Sequence, residues 1–323
     1  MEFKKIEPVM KIFVIGYGLN FRALIEGCLL TKNKIVGVLR VNRVRYSKLT
    51  NYFMDNFSPD EDKLFVNRYN LNDVNESSVN SQSFRKTLIK LNPDIVFVAS
   101  WCEKFAPETF NIPPLGTINL HPSLLPKYRG PNPYAQVIKH GEKETGITFH
   151  LMDKDFDSGT ILHQKSIPIS HNETGESLRL KCSIYAKEET FNILNKLENG
   201  YIEPIEQKKE EATYFRQLKL EDSILSFTTE TSEQIDRRIR ALTPWIKCSI
   251  PCGNEFFMFK SHKITEKITS KPFATILGND GKKVRISTTD KKIMEFDEVY
   301  PVRYIPPFLH KWYVKKYLVD KAK

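Results

Sequence analysis

Four short apolar runs in the first 120 residues, interspersed with helical segments, constrain the fold more than any other feature of this chain. The runs are KIFVIG, KIVGVL, DIVFVA and GTINL, which begin at Lys11, Lys34, Asp94 and Gly116. Runs as continuous as these are typical of strands buried on both faces, as in a parallel sheet covered by helices. We therefore predict an α/β fold whose first domain is Rossmann-like, with a mostly parallel sheet. Ligands of such open sheets bind beyond the carboxyl ends of the strands.

The pattern changes after residue 145. TGITFHLM and GTILHQKSIPI flank the turn-like KDFDS, which predicts a β-hairpin, and a long helix is expected over residues 174–200. A polar stretch with a proline follows and reads as a linker. Beyond it, the helical SEQIDRRIRAL precedes several short strand-like runs at the spacing of a small barrel. We predict a first domain over 1–208, a linker over 209–217, and a smaller β-rich, OB-like domain with a basic tail over 218–323.

Charge and composition restrict the class of partner. The chain has a formal net charge of +10, and residues 303–323 contain six basic residues against one acid. This excess favours an anionic partner such as a nucleic acid, a nucleotide or a polyanionic cofactor, although a solvated tail explains it equally well. No apolar run approaches the ~20 residues of a membrane span, and the first residues lack a signal-peptide pattern. We expect a cytoplasmic protein with no membrane partner.

Two other common functions find no support in the motifs. GYG follows the first strand, but position 21 is Phe where a dinucleotide-binding loop has its third glycine, and no acidic residue follows the second strand. We therefore interpret GYG as a tight turn rather than an NAD site. The five cysteines are scattered, without a second pair or a histidine cluster to complete a zinc site. We expect reduced cysteines and no metal.

The stretch INLHPSLLPKYRG ends a predicted strand with two polar side chains. Asn119 and His121 are two residues apart, so they project from the same face of the strand. Histidine acts as a general acid or base near neutral pH, and an asparagine amide can donate to a developing oxyanion. A carboxylate would orient the imidazole, and DKDFDS offers Asp153, Asp155 and Asp157. Asp157 is the preferred candidate, while a purely structural hydrogen-bonded pair stays open.

Residues 119–162 resemble the signature of the N10-formyltetrahydrofolate-dependent formyltransferases. Its elements stand in the family's order, namely NLHPSLLP, RG, the TGIT that follows, and DSG. Further on, ATYFRQLKLEDSILSF and IRALTPW are similar to the linker and first helix of the C-terminal domain of methionyl-tRNA formyltransferases and of the larger sugar formyltransferases. The resemblance implies a formyltransferase domain followed by an OB-like domain, with N10-formyltetrahydrofolate as co-substrate.

The resemblance also implies roles for individual residues. Asn119 and His121 would polarise the formyl group and stabilise the oxyanion, and Asp157 would raise the pKa of His121 and help to move protons off the attacking amine. Arg129 and Tyr134 are expected on the acceptor side, with a structural role for each left open. A larger set is expected to bind the folate: Trp101, Cys102, Ser123, Leu124, Leu125, Pro126, Asp153 and Asp155. The other six histidines, His150 among them, lack a comparable context, and we expect them to be structural or exposed.

The acceptor amine distinguishes two groups within this family. A nucleotide-linked amino sugar is favoured, because the first turn is GYGLNF where methionyl-tRNA formyltransferases typically have Gly-Thr-Pro, and the basic loop after the second strand lacks their glycines. In addition, Asn132 and Tyr134 stand where those enzymes usually have alanine and isoleucine. The alternative acceptor is methionyl-tRNA. A formyltetrahydrofolate hydrolase and a non-catalytic nucleic-acid-binding protein also stay open, and the sequence does not indicate the oligomeric state.

Overall fold

The computed structural model describes residues 9–41 and 60–319. Within these ranges the chain forms two compact units. The first contains the described residues up to Pro133 together with Glu144–Pro168 and Arg179–Phe215, and the second contains Tyr134–Lys143, Ile169–Leu178 and the described residues from Arg216 onward. The basic loop expected after the second strand lies outside the described residues, as does the end of the basic tail.

The first unit is built on a seven-stranded sheet. Its strands are β1 Lys11–Gly16, β2 Lys34–Arg40, β3 Asp73–Val74, β4 Ile95–Ala99, β5 Thr117–His121, β6 Glu144–Leu151 and β7 Ile161–Pro168. They lie in the order β3-β2-β1-β4-β5-β6-β7. Strands β1 to β5 pair in parallel, whereas β6 pairs antiparallel with both β5 and β7. The predicted mostly parallel, Rossmann-like sheet and the predicted hairpin are confirmed.

Helices lie between the strands of this sheet, and two of them begin at a side-chain cap. The helices of this part of the chain are α1 Gly18–Leu29, α2 Glu61–Arg68, α3 Gln82–Leu91 and α4 Pro107–Phe110. Asp60 accepts from the Lys63 N–H at 3.0 Å, and Ser81 Oγ accepts from the Phe84 N–H at 2.9 Å. Each cap satisfies an amide that has no partner within its helix. Phe84 then packs edge-on against Phe13 of β1, with 5.8 Å between ring centroids.

Strand β5 carries the NLH motif into the middle of the sheet. It is paired on one side with β4 and on the other with β6, so its backbone is fully engaged. The strand ends at His121 because Pro122 has no N–H to contribute to the ladder. Immediately after it, the Ser123 N–H donates to the His121 carbonyl at 3.0 Å. The polar side chains of this strand therefore stand at the carboxyl edge of the parallel part of the sheet.

The second unit is rich in antiparallel strands. Its strands are β8 Ile250–Cys252, β9 Glu255–Met258, β10 Ser261–Ile268, β11 Ile276–Asn279, β12 Val284–Ser287, β13 Lys292–Asp297 and β14 Tyr300–Pro301. They form one sheet in the order β10-β13-β12-β11 and another in the order β14-β9-β8. Apolar side chains such as Phe257, Met294 and Phe296 are buried between these elements. The predicted β-rich second domain is confirmed.

The remaining α-helices include both of those predicted from the sequence. They are α5 Pro133–His140, α6 Gly175–Asn199, α7 Ser232–Leu242 and α8 His310–Tyr317. Helix α7 begins where it was expected because Thr231 and Gln234 form a capping box, in which each side chain bonds the main-chain N–H of the other residue.

Residues 205–215, here named the strap, overlap the predicted linker and belong to the first unit. At one end, Ile205 exchanges two main-chain hydrogen bonds of 2.8 Å with Ile161. At the other end, the Arg129 N–H donates to the Thr213 carbonyl at 2.9 Å, and the Phe215 N–H donates to the Arg129 carbonyl at 3.0 Å. The strap is therefore anchored at both ends to the first unit, at the start of β7 and at the loop that follows β5. The domain boundaries at 208 and 218 stay a prediction.

Within residues 9–41 and 60–319 no helix combines the length and the apolar character needed to cross a bilayer. The five cysteines carry free thiols. Among the same residues no group of three or more His, Cys, Asp or Glu side chains is arranged to hold a metal ion.

Candidate active site

The three side chains selected from the sequence converge at the carboxyl end of β5. Asn119 and His121 lie on this strand, and Asp157 lies in the turn between β6 and β7. The Asp157 Oδ1 atom is 3.4 Å from His121 Nδ1 and accepts from Asn119 Nδ2, also at 3.4 Å. An amide, an imidazole and a carboxylate from separate segments thus meet around one oxygen atom.

A fourth side chain, His150 of β6, belongs to this cluster. In the antiparallel pairing of β5 with β6, His150 lies directly opposite Asn119. Its Nε2 atom is 3.1 Å from Asn119 Nδ2 and 3.7 Å from Asp157 Oδ1, and the side chain is buried. His150 was expected to be structural or exposed; the structure buries it within this cluster, and a part for it in the reaction stays a prediction. Residues opposite one another in an antiparallel pair share a face of the sheet, but the register that pairs them is not visible in one sequence.

The tautomer of His150 fixes the direction of the Asn119 amide. His150 Nδ1 is 2.9 Å from the main-chain carbonyl of Leu151, which can only accept, so Nδ1 carries the hydrogen. In the neutral ring Nε2 is then an acceptor, and the group facing it must be the Asn119 NH2. This NH2 group consequently points at His150 and Asp157, which leaves Asn119 Oδ1 as the atom available to a ligand. The expected donation from this amide to an oxyanion does not fit that direction.

His121 is held by a main-chain carbonyl on its other side. Its Nε2 atom donates to the Tyr128 carbonyl at 2.8 Å, so Nδ1, beside Asp157, is the position where a proton is gained or lost. Burial lowers the pKa of His121 and outweighs Asp157 and the Tyr128 carbonyl, which raise it. The contribution of Asp157 thus has the expected sign, but burial outweighs it, because removing the ring from water costs the charged form more.

Asp157 is held as a carboxylate. Burial alone would raise its pKa, but His121 and the hydrogen bond from the Gly130 N–H keep the pKa of Asp157 well below its usual range. The Gly130 N–H donates to Asp157 Oδ2 at 2.9 Å. Gly130 has φ +93°, and a Cβ there would lie 2.3 Å from the Phe215 carbonyl, so only glycine brings this N–H to the carboxylate. Asp157 itself adopts φ +55°, a rare conformation for a residue with a side chain.

An open pocket of about 50 Å³ lies beside the cluster. Asn119, His150 and Asp157 form part of its lining. The other lining residues are Trp101, Glu103, Lys104, Phe105, Met152, Asp153, Asp155 and Phe156. Trp101 Nε1 is buried and has no hydrogen-bond partner among the described residues. The pocket therefore offers aromatic surface and carboxylates to a planar, polar ligand.

The predicted folate-binding residues divide between two places. Trp101, Asp153 and Asp155 line the open pocket, and exposed Cys102 lies next to Trp101 in the chain, with its Sγ 3.9 Å from Tyr17 Oη. The loop 123–126 is not brought to this pocket. Ser123 Oγ donates instead to the Lys127 carbonyl at 2.8 Å, and Leu124 packs on Gly146.

Leu125 and Pro126 line a second cavity of about 570 Å³, together with residues of β7 and of the strap. The loop 123–126 turns this way because its polar groups are used locally. Thr148 Oγ1 donates to the Ser123 carbonyl at 2.6 Å, and Gln164 Nε2 donates to the Leu125 carbonyl at 3.0 Å. The loop 123–126 therefore packs against β6 and β7 and does not line the open pocket.

Two family models match the chain. The model described as formyl transferase matches residues 10–191, and that described as formyl transferase, C-terminal domain, matches residues 217–302. The chain belongs to the formyl transferase family. Among sequence relatives, the methionyl-tRNA formyltransferase of Treponema denticola is 36% identical over 213 residues, which are 62% of this chain and 63% of that protein. The methionyl-tRNA formyltransferase of Enterococcus faecalis is 33% identical over 235 residues, 72% of this chain and 74% of that protein.

Solved structures share the fold of this formyl transferase at low identity. A sugar 3N-formyl transferase solved with dTDP and 5-N-formyl-THF has a TM-score of 0.66 at 18% identity, covering 93% of this chain and 100% of that one. The N-formyltransferase of Helicobacter canadensis, solved with folinic acid and dTDP-3-aminofucose, has a TM-score of 0.64 at 19% identity, covering 90% and 100%. At these identities the likeness establishes the fold.

The two residues expected on the acceptor side of this formyl transferase have different surroundings. The Arg129 guanidinium is bound by the side chain of Gln207 in the strap, through Nη2 at 2.6 Å and Nε at 3.2 Å. Tyr134 is buried on α5 and belongs to the second compact unit. The contact of Arg129 with Gln207 supports the structural alternative for Arg129, and the expected substrate contacts of both residues stay predictions.

Three contributors to the site of this formyl transferase were not selected from the sequence. They are His150, the Tyr128 carbonyl, and Gln207, whose amide touches both site loops. A main-chain carbonyl leaves no trace in a sequence, and Gln207 lies in a polar stretch that any linker would resemble. His150 carried a signal, since it lies on a predicted hairpin strand two residues from the next site loop.

Proposed function

We propose that this protein transfers a formyl group from N10-formyltetrahydrofolate to a primary amine. The observation that carries the proposal is the convergence of Asn119, His121 and Asp157 beside an open pocket, in a chain of the formyl transferase family. The pocket suits a pterin in chemical terms, because Trp101 and Phe156 offer aromatic surface and Trp101 Nε1 lacks a partner. The bound folate supplies the activated one-carbon unit.

In this proposal His121 moves the protons. The amine nitrogen forms a bond to the formyl carbon and loses a proton, and the bond from that carbon to the folate nitrogen breaks as this nitrogen gains one. His121 Nδ1 is the atom that can hold the proton between these events, because Nε2 is committed to the Tyr128 carbonyl. The Asp157 carboxylate stabilises the imidazolium formed on the way.

Asn119 and His150 have a positioning part in the same proposal. Because His150 turns the Asn119 NH2 away from the ligand, Asn119 Oδ1 is placed to accept a hydrogen bond from the attacking amine. This contact would orient the nitrogen lone pair toward the formyl carbon. Holding two reactants in a reactive geometry is worth several powers of ten in rate, so a fixed acceptor at this point has a clear catalytic value.

For the acceptor, we propose the amino group of methionyl-tRNA. The sequence relatives at 36% and 33% identity are methionyl-tRNA formyltransferases, and the chain carries a C-terminal domain of the family. The net charge of +10 suits a polyanionic acceptor, since lysine and arginine neutralise phosphates. These observations favour tRNA over the amino sugar that the motif departures indicated.

A nucleotide-linked amino sugar is the second candidate. Asn132 and Tyr134 replace the small and aliphatic residues usual in the tRNA enzymes. Of the fold neighbours named above, one is a sugar 3N-formyl transferase solved with dTDP and the other is an N-formyltransferase solved with dTDP-3-aminofucose. The cytoplasmic location stays a prediction under either acceptor.

One experiment tests both acceptors. The purified full chain is incubated with N10-formyltetrahydrofolate and, separately, charged initiator tRNA, a panel of nucleotide-linked amino sugars, or no amine, and the products are identified by mass spectrometry. Formyl-methionyl-tRNA is the expected product. A formylated sugar nucleotide would move the proposal to the second candidate, folate release without any amine would indicate a hydrolase, and no reaction in any mixture would refute the proposed function.

A further inference from the structure

Gln207 is the one side chain between residues 203 and 211 that is not exposed, in a segment whose every position is described. It lies in the strap, outside both matched family models, which cover 10–191 and 217–302. A polar side chain that turns inward from an otherwise exposed polar stretch needs partners for both ends of its amide. Gln207 finds them on the two loops that form the candidate active site.

The two ends of the Gln207 amide bind different loops. Its Nε2 atom donates to the main-chain carbonyls of Asp157 at 3.0 Å and Gly159 at 2.7 Å. Its Oε1 atom accepts from Arg129 Nη2 at 2.6 Å and Nε at 3.2 Å. One side chain therefore joins the turn that carries the carboxylate to the loop that follows His121.

These contacts close a ring. The Asp157 carboxylate accepts from the Gly130 N–H, the neighbouring Arg129 side chain donates to Gln207, and Gln207 donates back to the Asp157 carbonyl. The main chain of Asp157 is thus held on one side while its carboxylate is held on the other. Since Asp157 has φ +55°, this backbone conformation persists only if its surroundings fix it.

We propose that Gln207 is a positioning residue for formyl transfer, which sets the Asp157 carboxylate at its distance from His121 Nδ1. The inference rests on the proposed function for its kinetic consequence, although the positioning itself can be measured without substrate. A displacement of about 1 Å at a reacting group can cost on the order of 10²-fold in rate. Loosening one side of this ring should therefore reduce turnover more than it reduces binding of the folate.

The strap allows Gln207 to be changed without detaching the segment. Ile205 is bonded by its main chain to Ile161, and Thr213 and Phe215 are bonded to Arg129, so neither anchor uses the Gln207 side chain. We expect the Gln207→Ala variant to fold with a melting temperature within about 4 °C of that of the wild type. Its kcat should fall by about 10-fold or more, with KM for N10-formyltetrahydrofolate nearly unchanged.

Two further variants separate positioning from general stability. Gln207→Glu keeps an acceptor for Arg129 but cannot donate to the carbonyls of Asp157 and Gly159, so it should show the same loss of kcat. Gln217→Ala removes an exposed glutamine ten residues further along and should leave kcat unchanged. Hydrogen exchange at the Gly130 amide, followed by NMR without substrate, should become faster in both Gln207 variants and not in Gln217→Ala.

The outcomes are distinct. Wild-type kcat in both Gln207 variants overturns the inference, as does a loss of activity accompanied by faster exchange throughout the first unit. If the wild type transfers no formyl group to any acceptor, the proposed function fails. The positioning role of Gln207 is then tested by hydrogen exchange at the Gly130 amide alone. Unchanged exchange in Gln207→Ala would overturn the positioning as well, whereas faster exchange confined to Gly130 and the 157–159 turn would uphold it.

Discussion

The Nε2 atom of His150 lies 3.1 Å from the Nδ2 atom of Asn119, and this contact reverses the direction expected for the asparagine amide. The direction is set at the Leu151 carbonyl, which fixes the His150 tautomer at 2.9 Å. A histidine on a neighbouring strand thereby decides which polar atom the candidate active site presents to its substrate.

Replacing His150 should loosen the Asn119 amide and lower turnover. In His150→Phe the acceptor for the Asn119 NH2 is lost, and we expect kcat to fall by about 10-fold, since one hydrogen bond of positioning contributes about 1–1.5 kcal/mol. His150→Gln keeps a side-chain acceptor near the Nε2 position and should recover part of the rate. The measurement is kcat for each variant, with exposed His171→Gln as the matched control. Equal losses in His150→Phe and His150→Gln would contradict the role.

Removing either member of the His121–Asp157 pair should have the largest effect on the reaction. His121→Ala removes the atom that holds the transferred proton, and Asp157→Asn removes the charge that stabilises the imidazolium. Each change should lower kcat/KM by ~10²-fold or more, equivalent to ~2.7 kcal/mol of transition-state stabilisation. Steady-state kinetics measure the effect, and circular dichroism checks that the fold is kept. Wild-type rates in either variant would remove that residue from the proposed mechanism.

Sequence patterns predicted the strands and helices whose residues all follow one pattern of burial. The apolar runs at Lys11, Lys34, Asp94 and Gly116 became β1, β2, β4 and β5, because a strand buried on both faces must be apolar throughout. The pairing of Asn119 with His121 on one face follows from the period of a strand and needs no tertiary information. Asp157 was preferred among the three aspartates of the predicted turn, and the family signature then implied a role for the same residue.

The remaining features of the site depend on contacts that one sequence does not encode visibly. His150 joins the cluster through strand register, and Gln207 joins it because a polar segment is anchored by Ile161 and Arg129 rather than crossing open solvent. Asp157 raises the pKa of His121 as expected, but burial, which depends on the whole fold, decides the net direction of the shift. These contacts and this pKa shift depend on the tertiary structure, and local sequence patterns therefore do not predict them.

The rate should fall on acidification at a pH below the ordinary range of histidine. Burial lowers the pKa of His121 in the folded protein, so Nδ1 stays unprotonated, and able to accept a proton, down to a pH below about 6.5. A plot of kcat/KM against pH should have the midpoint of its acid limb below this value. An acid limb centred above pH 7 would show that the charged form of His121 is favoured instead.

The free energy of unfolding should also fall on acidification. The folded pKa values of His121 and Asp157 both lie below their unfolded values, so both groups contribute stability at neutral pH that is lost on acidification. The His121 contribution is lost as pH falls below about 6.5, and that of Asp157 only below about pH 4. Thermal melts of the wild type and of Asp157→Asn from pH 8 to about pH 2 should stay apart down to about pH 4 and converge only below it. Parallel curves over the whole range would contradict this assignment.

The last prediction concerns the unpartnered indole of the open pocket. Trp101 Nε1 is buried, faces no hydrogen-bond acceptor among the described residues, and belongs to the lining shared with Asn119 and Asp157. A folate bound there would supply the missing acceptor, so Trp101→Phe should raise KM for N10-formyltetrahydrofolate by about 5- to 10-fold through the loss of one hydrogen bond. Because the ring remains apolar and aromatic, kcat should change little, which separates this effect from those of His121 and Gln207. Trp245→Phe, a half-exposed tryptophan in the second unit, is the matched control. Isothermal titration with tetrahydrofolate gives a measurement that does not depend on turnover, and equal affinity in Trp101→Phe and the wild type would place the pterin elsewhere.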